Sequence, residues 1–221
     1  MKKATIIISQ SDEQKNMCDN LNIKSKIIHN IFEEEHVEPI AVAGKPKIVW
    51  IGSLAPWKGI TELSALISVL NDIEFEIIGC LTDFNLRPLF NSICLRNNVK
   101  WMSEMKHNLV MLAISEAAVL INTSPREGFS NVMIEAWSLG KPVVSLYANP
   151  NNLLKGKDRL GDCADGDIEK MAEQIRFWIH DSDEKRALEN RARVYVRNNH
   201  APDTICSEFE KLFDYKRSAG I

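Results

Sequence analysis

Between residues 47 and 146 short β-rich runs alternate with longer stretches of helical spacing, and this alternation constrains the fold more than any other feature of the 221-residue chain. Residues 47–52, 73–79, 99–102, 118–122 and 142–146 read as strands. Residues 59–70, 85–97, 109–117 and 131–139 read as the helices between them. In the first helix Leu63, Leu66, Ile67 and Leu70 share one face. The last is stopped by Gly140 and then Pro142, residues that suit the positions just past a helix end. Repeated strand–helix–strand units demand parallel pairing through crossover helices. Runs as continuously apolar as 118–122 fit strands covered on both sides. The expected class is therefore α/β: a Rossmann-like parallel sheet with helices on both faces, followed by C-terminal helices.

The flanks differ. Residues 5–9 read as a strand, 11–21 as a helix and 26–29 as a second extended piece. Residues 30–46, rich in Glu, Pro, Ala and Gly, have no steady period and read as a linker. Residues 168–180 place Ile168, Met171, Ala172, Ile175, Trp178 and Ile179 on one stripe. Residues 183–198 and 203–216 continue as helix, with no further strand expected. The 27 Lys and Arg against 30 Asp and Glu leave a charge of −3, which gives no field to gather DNA or RNA. No apolar run reaches membrane length, and residues 5–8 are too short for a signal-peptide core. Five dispersed cysteines without a C-x-x-C pair suit a reducing, cytoplasmic setting, most of them as small core hydrophobes. Five scattered histidines and the acidic run Glu33–His36, read as a solvated linker, give no metal site.

In open α/β sheets ligands sit outside the carboxyl ends of the strands. Two loops there carry chemistry. The first is Gly52-Ser53-Leu54-Ala55-Pro56-Trp57-Lys58-Gly59. Its glycines allow close backbone approach, and Lys58 stands at the mouth of a helix that already favours an anion. It is neither a Walker A loop nor G-x-G-x-x-G, and alone it is a plain turn with a surface lysine. The second runs from Thr123 through Glu127, Gly128, Phe129, Ser130, Asn131 and Val132 to Glu135. Ser130 suits an N-cap. Glu135 falls on an otherwise apolar helix, where a carboxylate needs a partner. A sugar diol is one such partner, and a lysine or arginine is another.

The two glutamates are separated by seven residues, with Gly-Phe after the first, Ala after the second, and Gly140-Lys141-Pro142-Val143-Val144 closing the string. This resembles the E-x7-E signature of retaining glycosyltransferases of family 4, also called group 1, which have the two-domain GT-B fold. The resemblance extends from Ile51-Gly52-Ser53-Leu54 and Lys58-Gly59 to Asn149-Pro150, Gly161 and the helix at Ile168, roughly residues 45 to 200. It implies that Glu127 binds the donor sugar and Lys58 neutralises its diphosphate, as the catalytic pair. The backbone of Gly128, Phe129 and Ser130 would meet sugar and diphosphate, with Asn131 and Val132 supporting the phosphates. Glu135 would hold the ribose, Gly52 and Ser53 would line the phosphate loop, and Trp101 and Met102 would lie near the base. The family is usually metal-independent, so no cofactor is implied beyond a UDP- or GDP-sugar substrate.

Two departures stand out. Ser53 occupies the place where the family usually has an arginine, and the N-terminal acceptor-binding domain is absent from the sequence. Residues 1–31 resemble that domain's last strand and helix, followed by a linker over 32–46, a nucleotide-sugar-binding domain over 47–200 and a C-terminal helix over 201–221. The strand at 5–9 would then seek a partner, in an acceptor-domain subunit, a second copy or the donor domain. The implied function is transfer of a glycosyl group, with retention, to an unknown acceptor such as a polysaccharide or lipid-linked sugar, in the cytoplasm or at the inner membrane face. The alternative is a nucleotide-sugar-binding module that needs a separate acceptor subunit. A dinucleotide oxidoreductase lacks its glycine fingerprint here. A glycosidase would need its two carboxylates on opposite sides of the ligand.

Overall fold

The computed structural model describes residues 6–33 and 46–218. Strand β1 (Ile7–Ser9), helix α1 (Asp12–Asn20) and strand β2 (Ser25–Ile27) open the chain. Then follow β3 (Lys47–Ile51), α2 (Ile60–Val69), β4 (Glu74–Ile78), α3 (Arg87–Cys94), β5 (Val99–Met102), α4 (His107–Glu116), β6 (Val119–Asn122), α5 (Asn131–Ser138) and β7 (Val143–Ser145). Strand β8 (Gly161–Cys163) and helices α6 (Ile168–His180), α7 (Ser182–His200) and α8 (Pro202–Ser218) complete it.

Strands β3 to β8 form one sheet in the order β5-β4-β3-β6-β7-β8, with every neighbouring pair parallel. Ile48, Val49 and Trp50 are 0%, 0% and 2% exposed in succession. Successive strand residues point to opposite faces, so burial of all three means that both faces are covered. Helix α2 packs on α3 and α6, and α5 packs on α4 and α7. The strand order reverses between β3 and β6, which opens a crevice between their C-terminal loops.

Strand β8 corrects the expectation that no sheet follows residue 146. Its sequence, Gly-Asp-Cys, carries no apolar run to reveal it. Gly161 takes φ +146°, and a Cβ there would stand 1.8 Å from the Val143 carbonyl oxygen, so close pairing with β7 requires glycine. Helix α4 begins two residues before the expected start, because its first turn is the polar pair His107-Asn108. The cysteines are also corrected: all five are free thiols, but only Cys163 is buried.

The N-terminal unit folds on itself. β1 pairs in parallel with β2, Ile7 opposite Ser25 and Ser9 opposite Ile27, so the strand finds its partner within its own chain. Thr5 of the expected strand, and residues 34–45 of the expected linker, lie outside the described residues. Helix α8 covers this unit: Ile205 and Leu212 pack with Ile28, Ile6 and Phe209, and Lys26 Nζ lies 3.0 Å from Glu208 Oε2.

A ring cluster locks the segment after β2 against the larger sheet. The His200 ring centroid lies 5.3 Å from His29, 5.1 Å from Phe129 and 5.6 Å from Tyr195. His200 Nδ1 is 2.9 Å from the Asn30 carbonyl, which only accepts, so Nδ1 carries the proton. The Phe32 amide donates to the His200 carbonyl at 2.8 Å. Burial pushes the imidazole down to about 4 from its usual 6.5, which keeps it neutral. A histidine held below its unfolded value contributes stability above pH 6.5 and loses it as pH falls towards 4. That loss amounts to roughly 3 kcal/mol. Chemical denaturation at pH 7 and pH 4 is expected to show it. The His200→Phe variant, already weaker at pH 7 for want of a donor to Asn30, should lack this step. An identical pH dependence in both proteins would exclude His200 as its source.

Candidate functional site

The loops after β3 and β6 meet at the crevice. The β3 loop passes through a single turn, Pro56–Lys58, into Gly59, whose φ of +67° and ψ of +47° turn the chain into α2. Thr123, the first residue after β6, ties the two loops together. Its Oγ1 donates to the Lys58 carbonyl at 2.8 Å and accepts from Trp50 Nε1 at 3.0 Å. The Asn122 side chain accepts from the Ser124 amide at 3.0 Å and fixes the next bend.

This brings the expected catalytic pair together. Lys58 Nζ donates to Glu127 Oε1, which also accepts from Ser124 Oγ at 2.9 Å. The two side chains retain 26% and 15% exposure, so the pair is shielded yet reachable from the crevice. Neither loop alone shows this contact in the sequence. An ammonium has three donors, so Lys58 can keep Glu127 and still meet an anion.

Glu135 sits on α5, 12% exposed at its side chain, with Oε1 3.2 Å from His107 Nε2 at the start of α4. Its partner is thus a histidine, not the lysine or arginine weighed above. Glu135, His107, Asn131, Ile134, Phe32 and Glu33 line a cavity of about 430 Å³. A carboxylate and an imidazole on one wall suit a ligand rich in hydroxyls.

The other expected residues lie as follows. Ser130 holds the N-cap position of α5, but its hydroxyl makes no capping bond. Instead Asn30 Nδ2 donates to the Phe129 carbonyl at 3.1 Å and to Asn131 Oδ1 at 2.6 Å. Phe129 contributes its ring to the buried cluster, and Val132 is half-buried. The Gly52 amide is already spent on the Ile78 carbonyl at 3.0 Å, so it offers no donor to a phosphate. Trp101 Nε1 donates to the Gly79 carbonyl at 3.0 Å, and the Gly79 amide donates to the Met102 carbonyl at 3.0 Å. A second cavity, about 310 Å³, opens beside them at the ends of β3 and β4, and Gly52, Ser53, Cys80, Glu104 and Met105 line it. Neither Trp101 nor Met102 lines it.

Among the described residues no group of three or more His, Cys, Asp and Glu side chains could hold a metal ion, and no helix is long and apolar enough to cross a membrane.

The chain is similar to known proteins in sequence and fold. A capsular polysaccharide biosynthesis glycosyltransferase, CapM of Staphylococcus aureus, is 24% identical over 208 residues, 91% of this chain and 51% of the relative. An uncharacterized glycosyltransferase of Methanocaldococcus jannaschii is 29% identical over 171 residues, 65% of this chain and 40% of the relative. The chain therefore spans about half the length of the curated relatives it matches. Among solved structures, Anabaena HepE in complex with UDP-glucose superposes with a TM-score of 0.82 at 20% identity, covering 97% of this chain and 65% of that one. Sucrose-phosphate synthase of Thermosynechococcus elongatus gives 0.84 at 18% identity, covering 98% and 59%. The family model described as glycosyl transferases group 1 matches residues 31–195, most of the chain, and the protein belongs to that family.

Proposed function

We propose that the chain binds a nucleoside-diphosphate sugar in the crevice between β3 and β6 and serves glycosyl transfer, with retention, to an acceptor. The observation that carries this reading is the convergence of Lys58 and Glu127 from separate loops at the point where the strand order reverses. Lys58 and the start of α5 would bear the diphosphate. Charge that builds on the leaving diphosphate is stabilised most where a fixed cation already waits, which lowers the barrier. Glu127 would accept from hydroxyls of the donor sugar. Glu135, with His107 beside it, would hold the ribose at the 430 Å³ cavity. The base would enter the 310 Å³ cavity, so Glu104 and Met105 replace Trp101 and Met102 as its neighbours in this reading. Residues 6–33, folded apart from the six-stranded sheet, would belong to the acceptor-binding side. HepE, the solved structure described above, carries UDP-glucose, which supports a UDP-sugar donor.

One feature favours the subunit-dependent alternative. Ser53 leaves Lys58 as the cation among the loop residues 52–59. Weak donor binding without turnover would follow if a second cation must come from a partner.

The test is a thermal-shift panel of UDP, GDP and their sugar conjugates on the full chain. A ligand at a hundred times its Kd stabilises the folded state by about 2.7 kcal/mol, enough for a shift of several degrees. One base series is expected to raise the melting point, and to do so equally in EDTA. A flat response across the panel rejects the reading.

A further inference from the structure

The N-terminal unit reaches directly onto the candidate donor loop. The Asp12 amide at the start of α1 donates to Asn151 Oδ1 at 2.9 Å, which anchors the helix end there. Two residues on, Gln14 lies over Gly128, the residue that follows Glu127. A Cβ built on Gly128 would stand 2.2 Å from Gln14 Nε2. The orientation of this amide is determined by its other end. Gln14 Oε1 accepts from the Gln10 backbone amide at 2.7 Å, and only an oxygen can accept there. The NH2 group is therefore the end aimed at the loop, while the Gln14 backbone amide is bound to Ser11 Oγ at 3.3 Å.

We propose that Gln14 is a sugar-contacting residue of the donor site, its Nε2 donating to a hydroxyl of the donor sugar beside Glu127. This rests on the function proposed above. The chemistry requires such a group. A sugar hydroxyl both donates and accepts, whereas the Glu127 carboxylate only accepts. Lys58 is committed to Glu127 and to the diphosphate side. A neutral NH2 from the opposite wall satisfies the hydroxyl's acceptor capacity without adding charge near the leaving group. The Gly128 backbone needs no positive φ, but a side chain there would push the Gln14 amide off the loop.

The experiment compares nucleotide with nucleotide-sugar by calorimetry on the full chain, with UDP against UDP-glucose and GDP against GDP-mannose. Loss of one neutral hydrogen bond corresponds to roughly a 3- to 10-fold change in affinity. Gln14→Ala is expected to weaken the sugar conjugate by that factor and to leave the bare nucleotide unchanged. Gln14→Glu, which sets a second acceptor against the hydroxyl, should weaken the conjugate further. Gly128→Ala displaces the same amide, so its effect on the conjugate should not add to that of Gln14→Ala. Equal losses for nucleotide and conjugate, or no loss for either, would overturn the assignment while leaving the donor site standing. A wild-type chain that binds neither series would overturn both.

Discussion

Glu127→Ala and Lys58→Ala are expected to fail in different ways. Glu127→Ala should cut turnover of the donor, measured as hydrolysis of the nucleotide-sugar, by roughly a hundredfold or more, the scale seen when one preorganised polar group is removed from a reacting centre. Its affinity for the bare nucleoside diphosphate should hold or tighten. In the folded protein Glu127 occupies a donor of Lys58, and in the proposed function it sets a negative charge beside the diphosphate. Removing it frees the ammonium and removes that repulsion. Lys58→Ala should instead weaken nucleotide and conjugate alike, by roughly 10- to 100-fold for a charge-assisted contact. It also leaves Glu127, 15% exposed, with Ser124 Oγ in place of its cation. Glu127→Gln separates charge from hydrogen bonding: it keeps an acceptor for the hydroxyl and still relieves the repulsion. If both alanine variants bind nucleotide as the parent does and turn over the donor at the parent rate, the pair is structural and the site lies elsewhere.

The fold was legible because short β-rich, apolar runs alternate with stretches of helical spacing across residues 47–146, and because Gly140-Lys141-Pro142 punctuates α5 clearly. β8 was hidden since three residues held by glycine carry no period at all. The site was legible as types and spacings, not as contacts. Glu127 and Glu135 stand out on the line of sequence, but their partners come from 69 and 28 residues away. His107 gave no signal because it stands just before the apolar run that marks α4, where a polar residue reads as loop. Asn30 and Gln14 belong to the unit before the linker. Their approach to Phe129, Asn131 and Gly128 is set by how α8 and the His200 cluster dock that unit, which no local pattern encodes.

Gly59→Ala is expected to disrupt the crevice, costing on the order of 3 kcal/mol in chemical denaturation and most of the nucleotide affinity with it. Two effects combine. At φ +67° an alanine pays the left-handed penalty, about 1–2 kcal/mol. Its Cβ would also lie 2.0 Å from the Thr123 carbonyl oxygen and 2.8 Å from the carbonyl carbon, backbone atoms that no rotamer change can move aside. Relief requires the β3 and β6 loops to part. That breaks the Thr123 bond to the Lys58 carbonyl and draws Lys58 away from Glu127. Two other glycines separate the terms. Gly156 has φ +86° with nothing within 4 Å of its built Cβ, so Gly156→Ala should show the conformational penalty alone. Gly52 has no positive φ, and its Cβ would stand 3.3 Å from the Trp50 ring, tight but not backbone, so Gly52→Ala should cost less than either. The expected order of damage to stability is Gly59, then Gly156, then Gly52, with nucleotide binding retained in Gly156→Ala. Equal effects for Gly59→Ala and Gly156→Ala would mean that the two loops do not hold each other, and the crevice would lose the device that brings its lysine and glutamate together.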